Sequence, residues 1–171
     1  FMFGKWITNF SNGIRRSSRR RRKAKDEMAN LLDLQKRMYA KADKVASVGN
    51  EAKKHVANAI VRYLVNITPV DTSQALSNWQ AGDGTPKSSS ISAYFVGFAG
   101  STQGASAQEA MEVAAQVIAL AKPGEPIYLS NVLPYIKRLD EGSSSQHPGG
   151  FVHASVIVGK LSLRDFKYDW K

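Results

Sequence analysis

Apolar side chains recur at steps of three and four along Met28, Leu31, Leu32, Met38, Tyr39, Ala42, Val45, Ala46, Ala52, Val56, Ile60, Val61 and Leu64. That spacing keeps one face of an α-helix apolar and predicts a long amphipathic helix from about Asp26, where Asp26 and Glu27 suit the positive N-terminal end. Gly49 and Asn50 interrupt the stripe, but it resumes in phase, so one continuous helix is expected rather than two. The stripe holds too many alanines and lysines to demand a coiled-coil partner, so most of it is expected to be core.

The helix should end at a corner, Thr68-Pro69-Val70-Asp71-Thr72-Ser73. Pro69 disfavours the α conformation at Thr68, and Asp71 is the expected cap of a short new helix on which Leu76 and Trp79 share a face. Ala81 to Pro86 reads as a loop, Ile91 to Phe98 as a strand, and 106–121 as a second helix stopped by Lys122-Pro123-Gly124. Ile127 to Ser130 reads as a strand and Tyr135 to Asp140 as another strand or extended segment. A loop through Gly142 to Gly150 then leads to a helix over 151–160; its valines alone would also allow a strand. The predicted fold is α+β, with the long helix and the second helix packed on a small, mainly antiparallel sheet.

Charge changes the picture at one end only. The 171 residues carry a net charge of +10, and Arg15, Arg16, Arg19, Arg20, Arg21, Arg22, Lys23 and Lys25 leave only +2 for everything else. This describes a nearly neutral body with a basic arm, preceded by the aromatic-rich Phe1, Phe3, Trp6, Ile7 and Phe10. Such an arm suits a solvated tail whose aromatics dock on a neighbouring subunit, contact with nucleic-acid phosphates, or a membrane-surface or targeting segment; Gly4, Asn9, Asn12 and Gly13 weigh against the last. No apolar run approaches the roughly 20 residues that cross a bilayer, so a soluble protein is expected.

Candidate chemistry is sparse. The absence of cysteine excludes disulfides, thiolate metal sites and cysteine nucleophiles. The three histidines, His55, His147 and His153, lack the spacing of a helical zinc site. Gly82-x-Gly84 has no Gly-Lys-Ser/Thr ending, no Gly-x-Ser-x-Gly elbow appears, and Asp140 and Glu141 would point apart in an extended chain. Neither an enzyme nor a cofactor is expected.

Several short pieces occur in a telling order: Thr68 to Thr72, Asn78-Trp79, Ile127 to Asn131, Leu133-Pro134-Tyr135, Leu139 to Gly142, and Gln146 to Val152. The series resembles the motifs of the tail-completion (neck, minor tail) proteins of long-tailed bacteriophages, over about residues 27 to 158. Ser73 departs from it, since typical members have Gly there. On this resemblance Pro69, Asp71, Thr72, Trp79, Tyr128, Asn131, Tyr135, Glu141 and Gly142 are the motif positions, with Glu141 anchoring a loop, and helix is favoured over strand for 151–160. The implied organisation is an arm over 1–26, a tail-completion-like domain over 27–160 and an extension over 161–171. The implied protein is a non-enzymatic virion subunit, assembled in the host cytoplasm into a ring, hexameric by expectation. It would cap the tail tube and join it to the head-side connector, with non-specific DNA contact in the channel and no membrane. The alternative is a free nucleic-acid-binding protein that uses the basic arm for packaging or regulation.

Overall fold

The computed structural model describes residues 4–168, and for residues 4–19, 24 and 26 the backbone alone. In order come helix α1 (Gly4–Ile67), helix α2 (Gln74–Ser77), strand β1 (Gln80–Asp83), helix α3 (Gln103–Leu120), strand β2 (Ile127–Ser130), helix α4 (Ile136–Asp140) and helix α5 (Phe151–Asp165). This is an α+β fold, as expected. Two compact units divide the chain, 1–45 and 46–171, and the boundary falls within α1. The latter unit is called the body below.

The core of the body forms where three apolar faces meet. Ala57, Val61, Leu64 and Val65 give one face of α1, and Ala107, Ala110, Ala114 and Ile118, at steps of three and four, give one face of α3. Leu76, Trp79 and Phe151 belong to the same cluster, with Leu76 and Phe151 fully buried. Gly159 brings α5 onto α1, since a Cβ there would lie 2.7 Å from Ile60 Cδ1 and 3.2 Å from Val56 Cγ1. The sheet is a single antiparallel pair, with Gln80 opposite Ser130 and Asp83 opposite Ile127.

Several expectations need correction. Helix α1 begins at Gly4 rather than near Asp26. The first half of the apolar stripe is not core: Met28, Leu31, Leu32, Met38, Tyr39 and Val45 are all exposed, and burial begins at Val48. Gln80–Asp83, within and before the expected loop, is a strand because its backbone pairs with Ile127–Ser130. Ile91 to Phe98 is not a strand; it has no ladder partner, and side chains satisfy its backbone instead. The expected strand over 135–140 is mostly helix α4, because Ile136 and Leu139, three apart, both pack on the core. Helix α5 is present as expected and continues to Asp165.

The corner is also built differently. Helix α1 closes with the Thr68 N–H donating to the Leu64 carbonyl at 3.1 Å and the Thr68 hydroxyl donating to the same oxygen at 2.6 Å. Asp71 does not cap α2. The cap position is Ser73, in the left-handed region at φ 64°, with no side-chain capping bond. The Asp71 carboxylate instead accepts the Ala99 N–H at 3.2 Å, and the Asp71 carbonyl accepts the Gly100 N–H at 2.8 Å, so the residue clamps the turn before α3.

Candidate interaction surfaces

The body ties remote segments into one polar knot around Trp79. The Trp79 indole N–H donates to Thr68 Oγ1 at 2.8 Å, and its ring meets Phe151 edge to face with centroids 6.5 Å apart. Gln146 grips the corner from the far loop: the Val70 N–H donates to its Oε1 at 2.8 Å, and its Nε2 donates to the Val70 carbonyl at 2.9 Å. Asn131 Nδ2 donates to the Ala75 carbonyl at 2.9 Å. Thus Thr68, Trp79, Asn131 and Gln146, all within the motif pieces, converge on one corner, with Pro69 buried beside them.

A second set of amides holds the extended segment. Asn78 Oδ1 accepts the Ile91 N–H and Asn78 Nδ2 donates to the Ile91 carbonyl, both at 2.9 Å, while Gln74 Oε1 accepts the Ala93 N–H at 2.8 Å. The Ser77 and Ser106 hydroxyls accept the next two N–H groups, of Tyr94 and Phe95. This clamp leaves Phe95, Val96 and Phe98 exposed to solvent. Sequence reasoning missed Gln74 and its partners. Their one signal is polar amides set among apolar positions beside a segment with strand composition.

The other motif positions are less central. Asp71 and Thr72 are exposed, as are the side chains of Tyr128 and Tyr135. Partial burial raises the Tyr135 pKa above 10.0, and burial, then the Glu109 carboxylate, raises that of Tyr94. Glu141 is not seen to anchor the loop: among the described residues its exposed carboxylate pairs with Lys137 at 3.8 Å. Asp140 does that job: its carboxylate accepts the Val152 N–H at 2.9 Å at the start of α5, and its carbonyl accepts the Gly150 N–H at 2.6 Å. Gly142 is required by its conformation, at φ 89° with the Pro148 carbonyl oxygen 2.5 Å from where a Cβ would stand.

The N-terminal unit presents two successive surfaces on one helix. Arg20, Arg21, Arg22, Lys23 and Lys25 are exposed, and at about 100° per residue they surround the helix axis. The side chains of Arg15, Arg16 and Arg19 lie outside the described residues. A helix charged all round has no face to offer an apolar core and is satisfied by water or a polyanion. Beyond it follows the uncovered apolar stripe, to which Leu34, half exposed, also belongs although the sequence pattern did not single it out.

His55 Nε2 lies 3.2 Å from the Ser162 carbonyl and its ring 5.6 Å from Phe166. His147 Nδ1 accepts the Gly149 N–H at 3.1 Å. Among the described residues no group of three His, Asp or Glu side chains is placed to hold a metal ion, and no helix is long and apolar enough to cross a membrane. Compared with family models, curated proteins and solved structures, the chain matches none.

Proposed function

We propose that the chain is a structural, non-enzymatic subunit of the phage neck. Copies of it form a ring that caps the tail tube and joins it to the head-side connector around the DNA path, within the virion and without a membrane. The observation that carries this reading is the knot at Trp79. Motif pieces separated by up to 76 residues meet there through side-chain to backbone bonds, as expected if they act as one structural signature. Ser73 adds support: the position at which the resemblance expects glycine has a positive φ, the conformation glycine adopts without strain. Assembly then rests on complementary surfaces, and exposed apolar side chains such as Val96 and Phe98 are suited to contact neighbours.

The test is complementation in vitro. Tails made without the chain should fail to join filled heads and recover infectivity when the purified chain is added. Unchanged joining in its absence would refute the reading.

A second reading, a free nucleic-acid-binding protein, is favoured by the ring of basic side chains at Arg20 to Lys25. It requires affinity for duplex DNA to fall with salt at a log-log slope of up to about −7 if all eight basic residues meet phosphate. Loss of DNA binding on deleting residues 1–25, with tail joining intact, would separate this activity from the neck role.

A further inference from the structure

We propose that the exposed stripe of α1 between Glu27 and Ala46 is the seam through which copies of this chain pack side by side, parallel and in register. The inference rests on the reading that the chain assembles with itself, and it names the segment that does so.

The stripe is wide. Taken at about 100° per residue, the apolar positions run from Leu34 through Val45, Met38, Leu31 and Met28 to Leu32, an arc of about 160° broken only by Gln35 and, at its first turn, Glu27. A single two-stranded seam uses a narrower stripe. An arc this wide serves two neighbours at once, one on each edge, and two different edges make the heterologous contact that closes into a ring. The opposite face, with Asn30, Asp33, Arg37 and Lys44, is polar and accounts for the remaining circumference.

The stripe is also open to solvent. Met28, Leu31, Leu32, Leu34, Met38, Tyr39 and Val45 are each at least half exposed. Together they present roughly 800 Å², the area one partner gives to a standard interface; shared between two neighbours it makes two small contacts, and a copy buries it all only when both neighbours are in place. A helix with no packed face is marginal in water, so covering this one supplies what the N-terminal unit lacks.

Charge selects a second copy as the occupant. Lys23 and Lys41 flank the arc on the Leu34 edge, with Glu27 just inside it and paired with Lys23 at 3.9 Å, whereas Lys25 and Asp43 flank it on the Leu32 edge. In a parallel, in-register neighbour Lys41 of one copy lies beside Asp43 of the next, a pair of opposite sign, while Lys25 meets the Lys23–Glu27 ion pair, which carries no net charge. An antiparallel neighbour loses this match. The same parallel arrangement gathers the Arg20 to Lys25 segments, whose mutual repulsion opposes assembly until salt or a polyanion screens it. Assembly through this seam therefore strengthens with added salt, the reverse of a contact held mainly by ion pairs.

The lack of cysteine allows a direct test on the full chain. The double variant Leu34→Cys/Tyr39→Cys carries one thiol on each edge of the arc; Ala29→Cys/Ala40→Cys places both on the polar face. Mild oxidation of the first should give a ladder of covalent multimers beyond the dimer, at least tenfold faster than the second and faster in 0.5 M than in roughly 0.1 M salt, where the Debye length is about 10 Å. Equal rates for the two variants, products that stop at the dimer, or rates that fall with salt would each overturn the proposal. The outcome is separate from the neck role: a ladder from a chain that fails to join heads to tails would keep the seam and remove the neck reading.

Discussion

The two halves of α1 carry the same apolar period and meet opposite fates. From Val48 onward the stripe is packed, with Val61, Leu64 and Val65 at 3% exposure or less; from Met28 to Val45 it stands open, with Met28, Leu31 and Met38 at 64–65%. Periodicity therefore establishes that a helix has an apolar face and says nothing about what covers it. In the body the cover comes from α3, α2 and Phe151 of the same chain. In the N-terminal unit it is assigned here to other copies.

Truncation should separate the halves most sharply. Phe151→Ala removes a fully buried ring that meets Trp79 and His147, and should lower stability by about 3–5 kcal/mol in denaturant unfolding. Met38→Ala, in dilute solution where the chain is monomeric, should change it by less than about 0.5 kcal/mol. Similar losses from both would show that Met38 is covered within its own chain and would erase the contrast.

An intermediate effect is expected at the amide clamp. Asn78→Ala leaves the Ile91 N–H without its acceptor and removes one of two donors to the Ile91 carbonyl, costing about 1–3 kcal/mol. Hydrogen exchange at Ile91 should accelerate while α3 keeps its protection. Trp79→Phe should cost about 1–2 kcal/mol, mainly through the lost bond to Thr68. Unfolding followed at several temperatures would read both.

The smallest effect concerns alkaline pH. Tyr94 and Tyr135 hold their protons more tightly in the fold than in the unfolded chain, whose tyrosines titrate near 10.0. Below that value the two states bind the same protons and stability is flat. As pH rises through it the unfolded chain releases protons the fold retains, so stability falls until the folded pKa is passed. Tyr94→Phe should flatten this decline, and an unchanged slope would contradict the assignment.

Much of the body was legible in the sequence. The unbroken α1 through Gly49, the helix ending before Lys122, the strand Ile127–Ser130 and the helix over 151–160 follow from period, stop signals and, for the last, the family resemblance. What misled was local composition acting without knowledge of partners. Ile91 to Phe98 has the branched and aromatic residues of a strand, but Gln74, Ser77, Asn78 and Ser106 reach its backbone first. Gln80–Asp83 has the glycine and aspartate of a loop, yet it finds a ladder in β2. Asp71 and Glu141 have the right chemistry to cap and to anchor, but Asp71 binds the turn before α3 instead, Ser73 takes the cap position without a side-chain bond, and Asp140 holds the loop. Pairing and coverage are properties of the folded neighbourhood, which a single run of residues does not contain.

The central claim is that copies of the chain cover the stripe from Glu27 to Ala46, and hydrogen exchange as a function of protein concentration measures it directly. The account predicts that amides of residues 28–45 gain at least tenfold protection as the chain is concentrated from the nanomolar to the high micromolar range, while α3 and α5 stay unchanged. Protection of residues 28–45 that is the same at every concentration would contradict it.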